Sequence, residues 1–166
     1  MPHDTLETLL DNLRKTHRVY SQLLDIAERK QTHILQNDTA SLRLDLKDEE
    51  TLSSEGSRLT SERDRIHEVC REELEADDTA NTLESLSRYM PEAWHTPFNR
   101  ERAALKDTLG RLQKVNRVNV ALVNNSIELM DGLLSALFGT EPVAAYGPRG
   151  GRVKRAVRVH SLNASA

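Results

Sequence analysis

Residues 4–36 read DTLETLLDNLRKTHRVYSQLLDIAERKQTHILQ, and their spacing decides the fold class. Apolar side chains recur at Leu6, Leu9, Leu10, Leu13, Tyr20, Leu23, Leu24, Ala27 and Ile34. Steps of seven link Leu6, Leu13, Tyr20, Ala27 and Ile34, a coiled-coil-like seam interrupted beside it by His17, Lys30 and Gln31. Asp4 or Thr5 can cap the start, with Glu7 in the first turn. Asn37-Asp38-Thr39 ends the segment and offers a cap to the next. The spacing predicts a helix over 4–36, roughly 50 Å long at about 1.5 Å per residue.

The pattern continues outward. A second helix is predicted over 40–75, with its seam at Leu42, Leu46, Leu52, Leu59, Ile66, Val69 and Leu74. Its other faces are polar, so one narrow stripe is all it can bury. Residues 76–97 form a connector. Asp77-Asp78-Thr79 can cap a short helix there, Trp94 with Tyr89 should pin it to the bundle, and Pro91 and Pro97 break the period. A third helix is predicted over 98–138. Its core stripe is Leu105, Leu109, Leu112, Val123, Ile127, Met130, Leu134 and Leu137. Asn116 and Asn119 interrupt that arc as a polar layer that fixes register at some cost in stability. Between Pro2 and Pro91 the sole strong punctuator is Gly56, which permits long helices.

The expected fold is all-α, an elongated antiparallel bundle of three long helices with coiled-coil-like packing. It occupies 1–138 and is followed by a flexible basic tail, 139–166. The tail carries Arg149, Arg152, Lys154, Arg155 and Arg158 against the single acid Glu141, while the body holds the acidic excess. Over the whole chain, 23 basic face 26 acidic residues. Only 37% of residues are apolar and six are aromatic, too few for a thick round core. One cysteine, Cys70, excludes an intramolecular disulfide framework and fits a reducing compartment. No apolar run is long enough to span a bilayer, and Met-Pro-His-Asp does not begin a signal peptide, so a soluble intracellular protein is expected.

A second apolar stripe appears on the third helix from Val115 onward, through Val118, Leu122, Leu129 and Leu133. Either a wide bundle core absorbs it, or it receives another chain. An amphipathic helix seated there would bury Leu122, Leu129, Met130, Leu133 and Leu137.

Catalytic chemistry finds little support. Asp64-x-x-His67 and Glu92-x-x-His95 share the carboxylate–histidine spacing of di-iron bundles, but that site needs two further inward carboxylates. His67 and Cys70 lack the two additional ligands of a closed zinc site. No phosphate loop and no nucleophile–histidine–acid arrangement is present. No enzyme, metal or cofactor is expected. The tail has five cations and one aromatic, Tyr146, so nucleic-acid binding would be weak, and it lacks an apolar face for a membrane surface.

Two stretches carry a family resemblance. Asn116-Arg-Val-Asn119-Val-Ala-Leu-Val-Asn-Asn-Ser-Ile-Glu-Leu resembles the third-helix pattern of the FlgN family of flagellar export chaperones. Ala145-Tyr146-Gly147-Pro-Arg-Gly150 is similar to that family's Tyr-Gly-x-x-Gly tail. The tail past Gly151 is longer and richer in arginine than the family pattern, and the connector around Trp94 is not part of it. The resemblance implies a cytoplasmic chaperone, not an enzyme. Such a protein binds the C-terminal helical segments of hook-filament junction (hook-associated) proteins and keeps them soluble and unassembled. It then delivers them to the flagellar type III export gate. On this chain the expected client-binding residues are Val115, Val118, Leu122, Leu129, Met130, Leu133 and Leu137. Docking on the cytoplasmic domain of the gate carries over to Tyr146. The rival reading is a structural or adaptor coiled-coil protein that self-associates through the third helix.

Overall fold

The computed structural model describes residues 2–138. All regular structure among them is helical: α1 (Pro2–Leu35), α2 (Thr39–Glu73), the single turn α3 (Leu83–Leu86) and α4 (Glu92–Phe138), with a 3-10 turn at Ser87–Tyr89. The expected all-α class holds, with four α-helices of which three are long. The chain divides into two compact units, Met1–Asn119 and Val120 onward.

In the first unit α1 and α2 form an antiparallel hairpin. Its turn was legible in Asn37-Asp38. Asn37 takes the left-handed conformation (φ 54°), which asparagine tolerates at a helix end. The Asp38 amide donates to the His33 carbonyl at 2.9 Å, closing α1. The Asp38 carboxylate then accepts from the Ser41 amide at 3.0 Å, capping α2. Bonds with the Ser41 hydroxyl and amide hold that carboxyl below the usual range.

The hairpin core is made of leucines. Leu6, Leu9, Leu10 and Leu13 pack with Cys70 on α2, and with Ala80, Leu86, Met90, Phe98 and Leu105 from the connector and α4. Val19, Leu23 and Leu59 form a second cluster, against which Tyr20, Leu52 and Leu112 lean. Full burial of one such leucine is worth about 1.5–3 kcal/mol. Gly56 does not interrupt α2. It is buried, and the Tyr20 ring lies over it: a Cβ there would meet the Tyr20 Oη at 3.6 Å.

The ion pairs near the turn correct the α2 seam. Asp45 is buried where the period placed its neighbour Leu46, and Leu46 and Val69 are exposed. The cause sits across the interface. Arg29 donates to Asp45 Oδ1 through Nε (3.1 Å) and Nη2 (2.9 Å), and His33 Nδ1 lies 2.6 Å from Oδ2. Lys30 adds a bond to Glu49 at 2.6 Å. A carboxylate bonded by the Arg29 guanidinium and held beside the His33 ring takes the buried place that the period gave to a leucine.

The connector is also corrected. Its short helix is capped by Thr82, which shares a reciprocal capping box with Ser85. Asp77 instead closes a turn through Thr79 and accepts the Tyr89 hydroxyl at 2.8 Å. Tyr89 therefore ties the connector to itself. Trp94 alone makes the expected link, stacking edge-on against His3 of α1 (centroids 5.1 Å apart) and against Phe98 (6.2 Å). The third long helix starts at Glu92, not at 98, and runs through Pro97. That proline sits in the second turn, where its missing N–H costs one hydrogen bond near the end of the ladder.

Candidate functional site

Up to Asn119, α4 runs parallel to α1 and is held by polar cross-links. His17 Nε2 lies 3.1 Å from the Thr108 hydroxyl, and the Arg14 and His17 side chains flank Glu101 at 3.9 and 3.8 Å. Arg111 reaches Glu28 at 3.4 Å. Asn119 is buried, and its Nδ2 donates to the Ala27 carbonyl at 2.8 Å. The expected polar layer is thus formed at Asn119, whose Oδ1 is buried without a hydrogen-bond partner, while Asn116 is half-buried. Leu105 is buried and Leu112 half-buried, but Leu109 is exposed. Val115 is half-buried and Val118 exposed.

The second unit, over its described residues 120–138, continues α4. Leu129, Met130, Leu133 and Leu137 are each 61–71% exposed, and Leu122 is half-buried. Val123, Ile127 and Leu134, assigned from the sequence to the core stripe, are 40–45% exposed. That assignment is corrected: beyond Asn119 neither stripe is enclosed among the described residues. Residues 120–138 have one broad apolar face. At about 100° per residue, Leu129, Leu122, Leu133, Leu137, Met130, Val123, Leu134 and Ile127 follow one another across an arc of roughly 160°. Ser126 is the one polar side chain inside the arc. Its hydroxyl donates back to the Leu122 carbonyl at 2.9 Å and asks nothing of a partner. The sequence signal for Val123, Ile127 and Leu134 was the absence of any polar boundary between the two stripes.

The titratable groups offer little chemistry. Cys70 is buried, and burial, with the Glu73 charge adding to it, pushes its thiol up to about 12. A thiol so protonated is a poor nucleophile and metal ligand. His95 Nε2 lies 3.0 Å from the Met90 carbonyl, and His67 lines an open cleft of about 450 Å³ beside Asp64, Arg63 and Arg102. Among the described residues no three His, Cys, Asp or Glu side chains converge to hold a metal ion. None of their helices is long and apolar enough to cross a membrane. Tyr146 lies outside the described residues.

The fold and this surface define an all-α protein that presents a broad apolar helix face. The family model described as FlgN protein matches residues 1–154, and the chain belongs to the FlgN family, whose general role is that of flagellar export chaperones. No curated protein and no solved structure matches the chain.

Proposed function

We propose that this chain is the chaperone of one or more hook-filament junction proteins. It binds their C-terminal helical segments on Val115, Val118, Leu122, Leu129, Met130, Leu133 and Leu137, keeps them unassembled in the cytoplasm, and hands them to the export gate through Tyr146. The supporting observation is the exposure of Leu129, Met130, Leu133 and Leu137 on one helix of a family member. Four large apolar side chains in water favour a partner that covers them, at about 25 cal/mol per Å². Ordering of the client offsets much of that gain, which keeps binding reversible, as delivery requires.

The test is calorimetric titration of the full chain with a purified hook-filament junction protein. Leu129→Asp combined with Leu133→Asp should abolish binding and leave helical circular dichroism intact. Unchanged affinity in that variant removes these residues from the client site. Light scattering of the unliganded chain separates the self-associating adaptor, which must appear as a dimer or larger.

A further inference from the structure

The apolar face of 120–138 is too broad for one helix. A two-helix seam uses the a and d positions alone, a narrow stripe on each partner, and wider faces belong to helices with two neighbours. Here eight apolar side chains span roughly 160°. Leu122, Leu129 and Leu133 lie toward one edge, and Val123, Ile127 and Leu134 toward the other. All but the half-buried Leu122 are exposed. One added helix would cover either edge and leave the opposite one in water.

We infer that the occupant of this face is a pair of helices from one client, a helical hairpin, that completes a three-helix junction with residues 120–138. This deepens the client-binding reading above and rests on it. Ser126, in the middle of the arc, bonds its own helix, so the junction can close without trapped water. The charge beside the face describes the client further. Glu128 and Asp131 are the only ionisable side chains over 119–138, and Asp131 adjoins the Ile127 edge. The client helix on that edge therefore carries Lys or Arg next to its apolar stripe. A second copy of this chain carries the same acid beside its own apolar face and has no cation over 119–138 to meet it, which disfavours self-pairing.

The test uses the full chain and a purified hook-filament junction protein, with two exposed-edge variants: Leu129→Asp with Leu133→Asp, and Ile127→Asp with Leu134→Asp. Each should lower affinity at least about tenfold, as loss of a buried apolar anchor does. Hydrogen exchange on the junction protein should show two helical segments protected in the complex. Serine versions of both pairs, which add no charge, should rank the same way. One protected segment, together with sensitivity to only one pair, overturns the hairpin and leaves the client reading standing. Failure of the unaltered chain to bind overturns both. A dimer in light scattering that the same variants dissociate assigns the face to a second copy and overturns the inference.

Discussion

Asn119 Nδ2 donates to the Ala27 carbonyl at 2.8 Å, and no described residue of α4 beyond Asn119 is fully buried. The bond therefore marks where α4 stops serving the core of the first unit. Its other amide atom, Oδ1, is buried without a partner, so the side chain sets position at a cost. Asn119→Leu removes both the bond and the orphaned acceptor. Its stability in urea should stay within about 1 kcal/mol of the parent. Asn119→Asp buries a carboxylate at this position and should cost roughly 3 kcal/mol or more.

The ion cluster near the α1–α2 turn makes an asymmetric prediction. The Asp45 side chain is 5% exposed, whereas that of Arg29 is 52% exposed. Removing the acid, in Asp45→Ala, frees a guanidinium that water can reach and should cost about 1–2 kcal/mol. Removing both partners, in Arg29→Ala with His33→Ala, strands a buried carboxylate and should cost about 3–5 kcal/mol. Urea unfolding of the two variants gives the order directly, and equal losses would mean that the cluster is solvated.

Gly56 sits inside a continuous helix under the Tyr20 ring, with ordinary contact distances to an added methyl. Gly56→Ala should stabilise the chain by about 0.5–1 kcal/mol, since the helix gains propensity without a clash. Thermal unfolding checks this, and a lower midpoint would show that the Tyr20 contact cannot relax.

Tyr146 is predicted to serve a partner other than the client. Tyr146→Ala should leave affinity for the junction protein unchanged. It should weaken docking on the immobilised cytoplasmic domain of the export gate by about tenfold, the loss of one aromatic anchor. Equal loss of both activities would move the tail into the client site.

Composition and period were enough to read helices, because alternating polar and apolar positions are a local property of the chain. The 34 residues of α1, the Asn37-Asp38 turn and the length of α2 follow from spacing and capping. So did the two apolar stripes of the last helix, though not what covers the second. Three features did not follow. Asp45 is inside and Leu46 outside because of Arg29 and His33, which lie 12 to 16 positions away on another helix. Pro97 does not mark the start of a helix, because α4 begins at Glu92 and passes through it at the cost of one hydrogen bond. Val123, Ile127 and Leu134 carry the same period as Leu105, yet only Leu105 is enclosed. A helical period states which side chains share a face. Whether that face meets protein or water depends on what packs beside it, and only the tertiary arrangement holds that information.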